Sequence, residues 1–546
     1  ELVGGIIGLF ILIGFTIYGY SVWNNEFISF DDGLLIYDNI SVIRAGTFWS
    51  VKWAFANYDP ELYIPLSFLS LQLDAIIGGL NPFIFHFNNL LLHIGNALLI
   101  TWIIKLLFRR LDIAIILGLL FLVHPINVET VAWAASRKDV LSSFFFFAVI
   151  VGYLKYKETR KAKVHFINIS LFVLGLLAKV SIIPLPLVLL FIDWYQQGTL
   201  TWKDLWQKKG YILAAIPFGL LALLGKDVVL VRSSPISIAL LIPKTTFFYL
   251  QKILLPTNLS IFYSIDPIEV SLRNPSIVIP IVLGVISSAA LLWWRKKIRT
   301  VLLGVAIMFA VLMPSFFQYY RGNNLYFATD RYMYTPFIGV LIAIAFLMLL
   351  VAEHRRIVLY VLSGVILIAF SIGAFYQSQV WENTYVLFTH ALKQDESFLA
   401  YEKIGAELLD QGRTAEAIVA LKRSIELAPN SAAYMRLGIA ASAADFPEDA
   451  KEFYKKALDL SPDYAQAHTN LGRIYWDEGR QQKAIEHMEL AVENHAWNMM
   501  ALGNLATMYT LTDQKEKALE VIDWIVTLEP NNKRAGPLLK KLEEDF

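Results

Sequence analysis

Apolar residues run in long uninterrupted stretches over the first 380 positions, then give way to an amphipathic pattern that repeats toward the end of the chain. The first run, Leu2 to Trp23, holds about twenty apolar or small residues without a charge, enough helical rise to cross roughly 30 Å of hydrocarbon. A second begins at Phe85 and stops at Arg109 and Arg110. A third covers Leu111 to Val123 and stops at His124 and Pro125, and a fourth covers Val140 to Tyr153 before the basic stretch 155–163. Phe166 to Trp194 is too long for one helix and is broken near Lys179 and Pro184, which gives two. The remainder are 211–230, 276–294, 300–316, 332–352 and 357–377. The pattern predicts an all-α front part with about eleven membrane spans. Segment 237–256 is apolar enough to be another, but counting it would reverse every later loop, so it is laid along the outer interface.

Lysine and arginine orient these spans. The clusters at 109, 155–163, 203–209, 295–299 and 353–356 all fall on one side, which the positive-inside rule makes cytoplasmic. The opposite face collects the 24–84 loop, His124 to Lys138, Lys179, the 231–275 segment, Gln318 to Arg331 and everything after Trp381. The first run lacks a small-residue cleavage site and is read as a retained anchor.

The back of the chain has a period. Ala417, Ala450, Ala484 and Ala518 are spaced 33, 34 and 34, Gly405, Gly438 and Gly472 keep the same step, and Pro429, Pro462 and Pro530 close units. Small residues and a closing proline at about 34 positions are the tetratricopeptide (TPR) pattern, in which stacked helix pairs form an α-solenoid. Two domains are expected, a membrane domain over 1–380 and a repeat domain over 381–546, with the segment from Trp381 serving as a joining half-repeat. Such arrays present a concave face to proteins or peptides; a passive spacer or dimer contact is the other reading.

Composition sharpens this division. Hydrophobic residues make up 56% of the chain and mean hydropathy is +0.52. From Trp381 onward there are 27 acidic and 18 basic residues, whereas the front carries 19 and 29. A basic membrane part therefore precedes an acidic soluble part, and no basic cluster in the latter invites nucleic acid. The absence of cysteine excludes disulfides, thiolate metal sites and a cysteine nucleophile. No ligand cluster settles metal use: no cofactor is expected, and a divalent metal stays the open alternative.

Candidate chemistry lies on the outer face. Asp31 and Asp32 stand side by side just past the first span, where adjacent carboxylates raise one another's pKa, so that one handles a proton while the other orients it. A solvated helix cap is the plain alternative. Around them the topology gathers His124, Glu129, Arg137, Lys138, Asp139, Lys179, Arg321, Asp330 and Arg331. Cations at a membrane surface beside a carboxylate pair suit a phosphate-bearing lipid. Internal pairing is the competing account, with Arg331–Asp330 and Lys138–Asp139 as the obvious self-satisfied pairs.

The motifs FDDGLLIYDN, YIPLSFLS at 63–70, GLNPFIFHFNNLLLH at 79–93, LFLVHPINVETVAWAASRKDVLS at 120–142, LLPTNLSIFYS at 254–264 and DRYMYTPFIG at 330–339 carry a family likeness. The chain resembles the TMTC-type protein O-mannosyltransferases and their bacterial relatives, of the GT-C class of membrane glycosyltransferases. The resemblance implies a GT-C-like helical membrane domain and inverting transfer of a sugar from a polyprenyl-phosphate donor to a hydroxyl outside the cytoplasm. Carried onto this sequence, it makes Asp31 the base and Asp32 its orienting partner, with the reverse assignment open. Arg137, Lys138 and Arg331 match motif positions for binding the departing lipid phosphate, and His124 orients that phosphate or lines the pocket. Lys179 joins this set with less support, because Val180 stands where relatives have an acidic residue.

Two functional classes follow. One is a glycosyltransferase whose repeats recruit a protein or peptide acceptor, or, with a glycan or lipid acceptor, dock a partner enzyme. The other is a membrane scaffold or assembly factor whose repeats bind envelope proteins. A transporter fits poorly, since the spans show no internal repeat and their polar residues gather at one face. The expected setting is a multi-pass prokaryotic cell membrane, with membrane lipids as surroundings and the repeats on the extracytoplasmic face.

Overall fold

Helices break in this chain where proline removes a backbone donor or where a residue adopts the left-handed conformation. The computed structural model describes residues 2–58, 62–224, 234–316, 319–321, 324–529, 532–533 and 535–544. It divides into two compact units, 1–395 and 396–546. The short helix Thr384–Leu392 lies within the first of these units.

In the first unit every one of the eleven apolar runs is helical, although residues 225–230 of one run lie outside the described residues. Among the described residues, eight helices are long and apolar enough to cross a membrane. A ninth arises if Leu111–Val123 and Pro125–Ala132, bent by 52° at His124, count as one. Ala162–Ala178 and Lys209–Leu224 account for the difference from eleven. They comprise 17 and 16 described residues, and residues 225–233, which follow Leu224, lie outside the described residues. Segment 237–256 forms the helix Pro235–Leu254, which is not among the eight.

The helix caps follow local chemistry. Pro82–Phe108 starts with Pro82 at its first position and the Asn81 side chain accepting the Phe83 N–H, and it stops at Arg109 in the left-handed region. Helices Arg299–Leu312 and Phe337–His354 meet through two glycines. A Cβ on Gly304 would stand 2.3 Å from the Gly339 carbonyl oxygen, and one on Gly339 would stand 2.4 Å from that of Gly304.

One feature departs from the all-α expectation. Strands β1 (Tyr263–Ile265), β2 (Tyr319–Arg321) and β3 (Asn324–Ala328) form an antiparallel sheet in the order β1-β3-β2. Tyr263 lies opposite Ala328, and β3 leads straight into Thr329, Asp330 and Arg331. The sheet thus sets the height of these residues. The side chain of Arg321 lies outside the described residues.

Polar groups collect at two ends of the helical bundle. Arg137 and Lys157 lie twenty residues apart on the helix Arg137–Thr159, about 30 Å by helical rise. At the Lys157 end, Asp193 accepts from Tyr153 Oη at 2.7 and 2.8 Å, from Lys157 Nζ at 2.6 Å and from Lys208 Nζ. That buried lock joins three helices.

The second unit contains four helix pairs: Phe398–Asp410 with Thr414–Leu427, Ser431–Ala443 with Pro447–Leu460, Ala465–Asp477 with Gln481–Asn494, and Met499–Leu511 with Lys515–Leu528. Ala417, Ala450, Ala484 and Ala518 are completely buried, as the period requires. The turns carry a second periodic mark. Gly412, Asp445, Gly479 and Asp513 all have positive φ, from 58° to 75°, and recur at the repeat spacing. Pro530 lies outside the described residues.

The glycine contact yields a direct prediction. Gly304→Leu forces two helix backbones apart and should lower stability by about 1–3 kcal/mol or more. The thermal midpoint of the full chain in detergent measures it. A midpoint equal to that of wild type would remove the glycine contact from the account of packing.

Candidate active site

The acidic pair is built by an irregular turn. After Leu2–Asn24 the chain is extended to Ile28, turns at Ser29 and Phe30, and enters a π-helical turn at Gly33–Tyr37. Such turns put consecutive side chains in unlike surroundings. Asp32 points inward and is fully buried, its Oδ2 accepting the Ile28 N–H at 2.7 Å and its Oδ1 the Ala135 N–H at 2.8 Å. Asp31 keeps 29% of its side chain exposed, and Lys138 Nζ stands 3.8 Å from its Oδ2. Burial pushes the Asp32 carboxyl up to about 7, with Asp31's charge adding to the rise and the two N–H groups opposing it.

The opposing wall is the stretch 124–140, every residue of which is buried. Pro125 disfavours helix at His124, so the preceding helix ends there and the chain passes through two 3₁₀ turns and the short helix Val128–Ala132. This broken path presents the Ala135 N–H to Asp32. It also presents Trp133, whose indole stacks on Phe30 at 5.8 Å and on Trp381 at 5.6 Å, with the Arg331 guanidinium 4.7 Å above it.

Three cations converge here from three elements. Lys179, extended between Ala162–Ala178 and the turn Val180–Ile182, donates to Asp139 Oδ1 at 2.6 Å. Burial depresses its pKa; Asp139 opposes the shift, while the charges of Lys138 and Arg331 add to it. Arg331 is placed by Glu129, which accepts the Arg331 backbone N–H at 3.2 Å and the Thr329 hydroxyl at 2.9 Å and lies 3.8 Å from Arg331 Nε. Its carboxylate partner is therefore Glu129 and not Asp330. Asp330 accepts from Tyr263 Oη at 3.0 Å, and its own carboxyl is pushed well above the usual range by burial and by Glu129. Arg331 Nη1 is buried without a hydrogen-bond partner among the described residues. Asp31 and Asp139 both act on Arg331 through their charge, so the acidic pair and the cations form one electrostatic cluster.

Two of the expected phosphate-site residues have their polar atoms engaged within the protein. Arg137 is 1% exposed and spends its guanidinium inside the protein: Nε donates to Asn89 Oδ1 at 2.6 Å, Nη1 to Ser70 Oγ at 2.8 Å, and Nη2 to the Phe85 carbonyl at 2.9 Å. Asp74 Oδ2 completes its surroundings at 2.7 Å. It is a clamp that fixes the start of its helix beside Lys138. His124 likewise has both ring nitrogens engaged by backbone groups. Its Nδ1 accepts the Ile126 N–H at 3.2 Å, so Nε2 carries the proton and donates to the Ile253 carbonyl at 3.0 Å, with the rings of Phe337 and Phe370 on either side.

Asp74, Asn89 and Trp133 escaped the sequence reading. A lone carboxylate in the apolar stretch PLSFLSLQLDAIIG was the available signal, because such a charge calls for a buried partner. Among the described residues no group of three or more His, Cys, Asp or Glu side chains can hold a metal ion.

Comparison with known proteins matches this layout. The tetratricopeptide repeat model matches residues 399–431 and 430–494. Human protein O-mannosyl-transferase TMTC3 is 22% identical over 91% of this chain and 65% of its own length. Human TMTC2 is 32% identical over 29% of this chain and 19% of its own, and Xenopus laevis tmtc2 is 41% identical over 18% and 12%. This chain thus spans just under two thirds of the length of TMTC3. Among solved structures, Pseudomonas aeruginosa pilF covers 28% of the chain and 72% of its own at 24% identity, with a TM-score of 0.26.

The site supports two predictions. Arg137→Ala strands the Asp74 charge in the interior and should cost about 3–5 kcal/mol. Asp74→Asn combined with Arg137→Gln removes both charges and should recover part of that loss, read by chemical unfolding in detergent. The second concerns pH. Asp32 binds a proton more tightly folded than unfolded, so the stability it contributes is complete below about pH 4 and is lost as pH rises through about 7. Asp32→Asn should flatten the stability curve over that window; an unchanged slope would refute the buried titration.

Proposed function

We propose that this chain, a TMTC-type relative over most of its length, is a membrane glycosyltransferase of the GT-C class that moves a sugar from a polyprenyl-phosphate donor to a serine or threonine hydroxyl of a protein. The observation that carries the reading is the unequal environment of the acidic pair. Asp32 is locked by backbone N–H groups. Asp31 remains partly open beside Lys138, within electrostatic reach of an Arg331 whose Nη1 has no hydrogen-bond partner among the described residues.

The chemistry then runs as one displacement. The acceptor oxygen attacks the anomeric carbon from the face opposite the phosphate and loses its proton to Asp31. The bond between that carbon and the phosphate oxygen breaks, its electron pair leaves with the polyprenyl phosphate, and the sugar is inverted. Lys138, Lys179 and Arg331 stabilise the charge that grows on the departing phosphate. Asp32 holds the loop at a fixed distance from the wall 124–140. Arg137 and His124 hold the framework and touch neither substrate. The repeats recruit the protein acceptor, and both they and the site face the extracytoplasmic side.

The test is transfer itself. Protein reconstituted in lipid is incubated with a panel of radiolabelled polyprenyl-phosphate sugars and a lysate of acceptor proteins. Asp31→Asn should lower turnover by about a hundredfold or more while donor binding persists. Arg331→Ala should reduce turnover of the same donor. No transfer from any donor, together with equal capture of partner proteins by wild type and Asp31→Asn, would favour a scaffold whose repeats bind envelope proteins.

A further inference from the structure

Asp139 stands in the first turn of the helix Arg137–Thr159. An acidic side chain at that place ordinarily faces water or caps the helix N-terminus. Asp139 does neither. The residue is 9% exposed, its Oδ1 takes the Lys179 ammonium at 2.6 Å, and its Oδ2 is buried without a hydrogen-bond partner among the described residues. A carboxylate oxygen left in that state is costly unless a ligand completes it.

The complementary group belongs to the same cluster. Arg331 Nη1 is a buried donor with no partner among the described residues, Asp139's charge acts on Arg331, and both act on Lys179. The two side chains are held in place. The Arg331 guanidinium lies 4.7 Å from the centre of the Trp133 ring and 5.7 Å from that of Tyr332, and Glu129 faces its Nε at 3.8 Å. Asp139 is fixed by its ion pair and by its place in the helix.

These two atoms make different demands on a ligand. The free oxygens of a phosphate diester accept from arginine, but they have nothing to donate to a carboxylate and are repelled by it. A hydroxyl meets both demands, since its O–H donates to Oδ2 while its oxygen accepts from Nη1. The hydroxyls that stay beside the phosphate throughout are those of the sugar, because the anomeric carbon joins ring and phosphate. The acceptor oxygen arrives on the opposite face of that carbon.

Given the transferase reading above, on which this step rests, we infer that Asp139 Oδ2 and Arg331 Nη1 together hold one ring hydroxyl of the donor sugar, which makes Asp139 a specificity-determining residue. Lys179 links the two halves of the donor site. Its ammonium has three donors, of which Asp139 takes one, and the others are directed to the phosphate. Arg331 acts on that phosphate through its charge.

The test uses the full chain in lipid nanodiscs, the polyprenyl-phosphate hexose that wild type transfers fastest, and its monodeoxy analogues, each lacking one ring hydroxyl. Wild type should transfer one analogue with kcat/KM about ten- to a hundredfold below that of the parent, and the others with smaller losses. Asp139→Ala should bring the disfavoured analogue within about threefold of the parent. A disturbed fold or phosphate site lowers transfer from every donor alike and leaves this ratio where it was. Arg331→Lys keeps the charge and withdraws the planar fork, so it should erode selectivity against the same analogue, and it decides the matter if Asp139→Ala does not fold. A ratio unchanged in every variant that folds would overturn the hydroxyl site and leave the two atoms to water. A rise in KM for the acceptor alone in Asp139→Ala would overturn it as well, by placing the acceptor hydroxyl at Oδ2. If wild type transfers from no donor, retention of radiolabelled polyprenyl-phosphate mannose, competed by its own monodeoxy analogues, decides independently. One analogue competing less well than the parent, with the difference lost in Asp139→Ala, upholds the hydroxyl site while the transferase reading fails. Equal competition by every analogue and by polyprenyl phosphate without sugar removes both.

Discussion

A carboxylate removed from water persists only where donors come to it, and Asp32 meets that requirement from both sides of the site at once. The Ile28 N–H belongs to the loop that carries the acidic pair, and the Ala135 N–H belongs to the wall facing it. One side chain therefore fixes the separation of two segments about a hundred residues apart in sequence. The wall can offer an N–H at all because Pro125 ends a helix and the chain crosses the interior in short helical turns, so that the Ala135 N–H lies in the first turn of Ala134–Ser136 and is left free for Asp32. Irregular backbone at such depth is tolerated because its polar groups are buried within protein. The Arg137 clamp then secures the next turn, and Lys138 inherits its place from it.

Charge bookkeeping explains how so many ionisable groups share a small volume. Lys179 is paired with Asp139 and Arg331 with Glu129, while Lys138 faces Asp31. Each cation is partly neutralised, which makes burial tolerable without an anion bound. Arg331 nevertheless keeps one donor without a protein partner among the described residues, and Asp139 keeps one acceptor in the same condition. The cluster is thus stable by itself and incompletely satisfied, the electrostatic condition expected of a binding site.

Long-range organisation was legible because it is written in periodicity. Apolar runs located every long helix of the first unit, and alanine and glycine spacing located the repeats. What escaped depends on contacts that no spacing encodes. Arg137 and Lys138 are neighbours with the same formal charge, yet one is consumed by Asp74, Asn89, Ser70 and Phe85 and the other lies beside Asp31. His124 looked like chemistry because it is a histidine among motif residues, and its two nitrogens prove to be tied to backbone groups. The sheet was missed because its strands are three to five residues long, too short for alternation to register. The left-handed turn positions were visible only in part, since the period alternates glycine with aspartate.

Trp133 has a mechanical consequence. Its indole is gripped by Phe30 on the acidic loop and by Trp381 at the end of the helix Arg356–Gln379, and Phe388 on the following helix presses on Phe30 at 6.1 Å. Residues 381–395 belong to the first unit, so the polypeptide packs around the acidic loop before it leads on to the repeats. The indole thus staples the stretch that leaves the last long helix of the first unit to the residue immediately preceding Asp31.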